Sequence, residues 1–106
     1  MDANEYQRAA LRTWNGEEDA IGLMYASGKL CAESGEVMQL IAKWVMHNKL
    51  YTAADISDEL GDVMWYVSLV AKMHDLRLGD VMAGNIDKLS KRHPDGDTSK
   101  FYGRDK

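Results

Sequence analysis

Two pairs of carboxylates, Glu33 with Glu36 and Glu59 with Asp62, are each spaced three residues apart inside runs otherwise apolar enough for core helices. In a helix that spacing places both members of a pair on one face. The chain must therefore set two acidic stripes beside two apolar ones. Carboxylates are rarely buried unless something positive neutralises them. For four that converge, a divalent cation is the simplest neutraliser. Ordinary solvated helix faces and inter-helix salt bridges carry the same spacing, so spacing alone leaves both readings open.

The segments around the pairs predict an all-α fold. Residues 3–14 form a short amphipathic helix with Tyr6, Ala9, Ala10, Thr13 and Trp14 on one face, stopped by Asn15 and Gly16. A second helix is expected over about 18–46, with Glu17, Glu18 and Asp19 supplying negative charge to its first turn and a possible break at Gly28. His47, Asn48 and Lys49 end it. Thr52 is a good N-cap, with Asp55 three residues on as a variant of the capping box, for a third helix over roughly 53–75. That helix is apolar on more than one side and should touch more than one neighbour. A fourth spans about 79–92, with Val81, Met82, Ile86 and Leu89 inward, and the His93–Asp97 turn around Pro94 stops it. The last ten residues, with Phe101 and Tyr102, form a tail that folds over the site or a partner. No repeat or internal boundary is evident, so one domain over 1–106 is expected, with its core at about 5–96 and a tail at 97–106.

Composition narrows the function classes. A formal charge of −4 gives no basic excess for general nucleic-acid binding, and the third helix is too apolar and acidic for a major groove. The single cysteine, Cys31, excludes an internal disulfide, fits a reducing compartment and reads as a small core residue. No run of eighteen apolar residues and no basic-then-apolar leader occurs, so no membrane partner and a cytoplasmic location are expected.

If the second and third helices pack antiparallel, the stripe of Glu33, Glu36 and Lys43 faces that of Glu59, Asp62 and Tyr66. With Mg²⁺ the four acids become a hard-oxygen site able to hold phosphate oxygens and activate a water. The absence of clustered Cys or His argues against zinc. The Tyr66 hydroxyl lies within reach of a ligand or a phosphate. Lys43 is either a phosphate contact or half of a surface pair. Trp14 and Trp44 flank the site or pack in the core, and Trp65 reads as packing. His47 and His74 are helix-end residues, and His93 is a turn residue or a phosphate contact.

The pattern EXXE on one helix and EXXD on the next, here ESGE at 33–36 and ELGD at 59–62, resembles the MazG-type nucleotide pyrophosphohydrolases of the all-α nucleoside triphosphate pyrophosphatase class. The flanking LCAESGEVMQLIAKW and DELGDVMWYVSLVAKMHDL, the downstream NIDKLSKRHPDG and the opening EYQRAALRT carry the resemblance over roughly 5–96. It implies a four-to-five-helix bundle whose core is completed between chains, as a homodimer or homotetramer. It implies hydrolysis of a nucleoside triphosphate to monophosphate and pyrophosphate, with Glu33, Glu36, Glu59 and Asp62 on Mg²⁺, or Mn²⁺ as substitute. Glu36 or Glu33 would position the water. Asn85 and Lys88 match the positions of the family's phosphate contacts, and Arg92 is a further one. A binding-only protein, a purely structural helical module, and relatives acting on dUTP or phosphoribosyl-linked pyrophosphate are the alternatives.

Overall fold

The structure, a computed structural model, describes residues 1–95. These form four helices and no strand: α1 Ala3–Leu11, α2 Ala20–His47, α3 Ala53–Lys72 and α4 Leu78–Arg92. The expected C-terminal tail, with Phe101 and Tyr102, lies outside the described residues.

Local chemistry explains most boundaries. Asp2 caps α1 by accepting from the Glu5 N–H at 2.8 Å. This helix ends three residues earlier than its pattern suggests, and Trp14 folds back through its N–H to the Leu11 carbonyl. Asp19 is the N-cap of α2, accepting from Gly22. Glu17 and Glu18 therefore precede the helix and do not fill its first turn. Gly22 is required there, because a Cβ would collide with the Glu17 carbonyl. Gly28 does not break α2; the helix runs unbroken through it. At the far end Asn48 takes the left-handed conformation, φ 58°, and the Lys49 N–H reaches back to the Lys43 carbonyl at 3.1 Å. Asn tolerates that conformation better than most residues. Thr52 and Asp55 form the expected reciprocal capping box of α3. Asp75, also left-handed, terminates the turn after α3.

The five-residue link between α2 and α3 makes an antiparallel hairpin, the principal packing unit. α3 also touches α1 and α4, as its broad apolar surface predicts, whereas α2 meets only α3. The buried stripe of α1 is Gln7 and Leu11; Ala9 and Thr13, placed on the packed face by the sequence pattern, are exposed. Gln7 joins three elements. Its Nε2 donates to the carbonyls of Ser68 and Leu76, both at 3.1 Å, and its Oε1 accepts from the Leu78 N–H at 2.9 Å. Asn4 accepts from the Gly79 N–H. Two side chains of α1 thus cap the start of α4, where Arg77 supplies no side-chain cap.

The core is small. Leu11, Ala26 and Leu69 are buried together, with Trp14, Trp65, Tyr66, Val70 and Met73 packed around them. The Trp65 indole donates to the Ala10 carbonyl at 3.0 Å, in keeping with a packing role. Burying Leu69 contributes about 1.5–3 kcal/mol, and few other side chains are as enclosed. Two expectations of burial fail. Cys31 is exposed, because it sits on the side of α2 that meets no other helix. Val81, Met82 and Ile86 are exposed because α4 contacts α1 and α3 but not α2; of the four residues expected inward, Leu89 is half-buried.

Candidate functional site

The α2–α3 hairpin brings the acidic stripes face to face. Glu33, Glu59 and Asp62 each offer a carboxylate oxygen, and the three oxygens lie within 4.8 Å of one another. Glu33 and Glu59 are half-buried and Asp62 is exposed. Glu36 stands outside this trio, yet its charge acts on Glu59. The Glu59 carboxyl is pushed above its ordinary range by desolvation first, then by the charges of Glu36, Asp62, Glu33 and Asp58. The nearest counter-charge to the trio is Lys29, 3.8 Å from Glu33 and one turn before it. At 3.8 Å, with the Lys29 side chain itself exposed, that pair leaves most of the negative potential in place. Hard oxygen donors that repel one another and share one weak cationic neighbour suit Mg²⁺ or Mn²⁺, and suit zinc poorly.

An aromatic row leads away from the acids. The rings of Trp65 and Tyr66 meet edge to face with centroids 4.9 Å apart. Burial raises the Tyr66 phenol above its usual range, with the neighbouring Tyr25 hydroxyl and the Glu33 and Asp62 charges adding to it. Trp14 stacks on Tyr25 at 6.4 Å and 20°. Beyond it, Trp14, Gly16, Glu17, Asp19, Ile21 and Tyr25 line a cleft of about 430 Å³. The Trp14 indole N–H is enclosed and has no hydrogen-bond partner among the described residues. Trp44, by contrast, stands beyond the acids on α2 and packs edge to face on Tyr51.

The basic candidates are elsewhere. Lys43 is exposed on α2 and forms no ion pair among the described residues. Asn85 and Lys88 line a separate cleft with Leu76, Asp80, Val81 and Gly84. α4 does not pack on α2, and among the described residues no ion pair joins Lys88 or Arg92 to the acids. His47 is the last residue of α2, His74 Nδ1 donates to the Val70 carbonyl at 2.7 Å, and His93 caps α4.

Three residues at this site were not anticipated. Tyr25 and Lys29 lie on the helical line that continues through Glu33 and Glu36, a signal present in the i,i+4 spacing. Tyr6 of α1 approaches Asp62; burial first, and then that charge, raises its phenol. Only the tertiary fold reveals this approach.

Comparison with known proteins gives three findings. The sequence model of the MazG nucleotide pyrophosphohydrolase domain matches residues 26–96, a span that holds all four acids and α4. The Gene 37 protein of Mycobacterium phage L5 is 35% identical over 106 aligned residues, covering 91% of this chain and 92% of that protein. No solved structure matches significantly.

Proposed function

The chain belongs to the MazG nucleotide pyrophosphohydrolase family, and from that premise we propose that it hydrolyses a nucleoside or deoxynucleoside triphosphate between the α and β phosphates. The products are the monophosphate and pyrophosphate, the cofactor is Mg²⁺ with Mn²⁺ as substitute, and the role is nucleotide-pool housekeeping. One observation carries this reading: the approach of the Glu33, Glu59 and Asp62 oxygens to within 4.8 Å inside the matched span.

Glu33, Glu59 and Asp62 hold the metal, and Glu36 completes the acidic set. When bound, the ion neutralises triphosphate charge and favours charge development at the α phosphorus. Glu36, offset from the converged trio, is the better placed of the two candidate acids to orient and deprotonate the attacking water; Glu33 is tied to the trio and to Lys29. The Tyr66 hydroxyl steadies the acids at their edge. Trp14 and Tyr25 provide an aromatic surface for the base side. Asn85, Lys88 and Arg92 meet the phosphates from a second copy of the chain, in a homodimer or homotetramer, because α4 and α2 do not meet within one copy.

The test is incubation of the purified chain with each common NTP and dNTP and Mg²⁺, with products resolved by chromatography. Monophosphate and pyrophosphate, absent with Glu36→Gln, are the expected result. Diphosphate and orthophosphate would reject the cleavage position, and no turnover of any nucleotide would reject the reading for canonical substrates.

A further inference from the structure

On another side of the molecule, α1 and the turn between α3 and α4 enclose a cleft of about 500 Å³ lined by Gln7, Arg8, Leu11, Arg12, Lys72, Asp75, Leu76 and Arg77. Four of these residues are cationic and one is anionic, in a chain whose formal charge is −4. Lys72 is held by Glu18 at 2.8 Å and Arg77 by Asp80 at 3.1 Å, but through exposed pairs that bind loosely. Only the Nε of Arg77 is engaged by Asp80, which leaves the guanidinium fork for another partner. Arg8 and Arg12 form no ion pair among the described residues. Arg8 lies in the last turn of α1 and Arg12 is its C-cap, so two like charges stand at one end of the helix.

The floor of the cleft is firm. Gln7 is fixed by its three hydrogen bonds, and Leu11 and Leu76 supply apolar surface. Arginine forks recognise phosphate oxygens in pairs, and the volume lies within the range of small-molecule sites. Lys72 is ten residues beyond Asp62 on α3, about 15 Å along the axis at 1.5 Å per residue. The cleft is therefore separate from the acidic site and does not depend on it.

We propose that this cleft is a second nucleotide-binding site, with the phosphates on Arg8, Arg12 and Arg77 and the nucleoside over the exposed face of Leu76. Metal is not needed there, because the cleft itself is positive.

The full chain is titrated calorimetrically with dATP, and separately with inorganic tripolyphosphate, in excess EDTA. The expected result is saturable dATP binding that is retained in Glu36→Gln. It should weaken at least tenfold in the Arg8→Gln/Arg12→Gln double variant. Both arginines are exposed, so a thermal melt should show the double variant folded. Binding should also weaken as salt rises, and dATP should bind more tightly than tripolyphosphate. No saturable binding, binding unchanged in the double variant, binding lost in Glu36→Gln, or equal affinity for tripolyphosphate would each overturn the proposal.

Discussion

Glu59 holds its proton above the ordinary carboxylate range because it is partly desolvated and faces Glu36, Asp62, Glu33 and Asp58. A carboxyl whose folded-state pKa is raised binds more protons folded than unfolded. The metal-free chain should therefore lose stability as pH rises from the usual carboxylate value through the raised one. A cation on the same oxygens must displace that proton, so Mg²⁺ affinity should weaken as pH falls through the raised range. Thermal unfolding with and without Mg²⁺, repeated across pH, measures both effects. At neutral pH Glu59→Gln should raise the melting temperature of the metal-free chain and remove the Mg²⁺-induced increase. A Mg²⁺ response that survives this substitution would take Glu59 out of the ligand set. Ser68 poses a different question at the same scale. It is fully buried, and its hydroxyl has no partner. Removing an unsatisfied buried hydroxyl relieves its desolvation penalty, so Ser68→Ala should leave stability unchanged or raise it by about 1 kcal/mol in urea unfolding.

Among the elements, α1 owes its place to polar side chains. Gln7 satisfies two carbonyls and the first N–H of α4 from a buried position. Gln7→Ala would leave some of those groups enclosed without partners, at a cost of about 1–3 kcal/mol. A fall in the urea midpoint with an unchanged slope would show it; no change would mean that water takes over the bonds. This element also shows where sequence reasoning stops. Periodicity locates α1 and puts the half-buried Tyr6, Ala10 and Trp14 on its packed face, but it misses Gln7 and Leu11, because a glutamine in a short helix resembles a solvated residue until its distant carbonyls are known. The cap of α3 was legible, since Thr52 and Asp55 are local. So was the approach of Glu33 to Glu59 and Asp62, which needs only i,i+3 arithmetic within two helices joined by a short link, although Glu36, expected with them, stands outside the trio. The approach of Tyr6 to Asp62 was not legible, because it depends on how α1 crosses α3. The relation of Asn85, Lys88 and Arg92 to the acids depends on packing that no single helix encodes.

At the scale of the whole molecule, one copy exposes more surface than a compact monomer of its size. Its accessible surface is 8142 Å², against roughly 6000 Å² for a compact monomer of this size. The radius of gyration is 16.7 Å, against about 13 Å for a compact chain of this length. The excess on this one copy is more than twice the roughly 800 Å² that each partner buries in a standard protein interface. Much of it is apolar: Ile21 and Met24 are 75% and 74% exposed on α2, and Ile86 is 64% exposed on α4. Light scattering after size exclusion should therefore give at least a dimer at micromolar concentration. Ile86→Asp should shift it towards monomer, whereas in a true monomer so exposed a substitution would change little. The same assembly decides whether each site is shared. Glu36→Gln removes an acid on α2, and Lys88→Ala removes a cation on α4. If α4 of one copy serves the acids of the other, each variant alone should be inactive. An equal mixture, after subunit exchange in a two-fold dimer, should recover about a quarter of the wild-type activity, because half the dimers then carry one intact composite site. Failure to recover, with exchange verified by mass spectrometry, would place Lys88 outside the acidic site of either copy or confine each site to one chain.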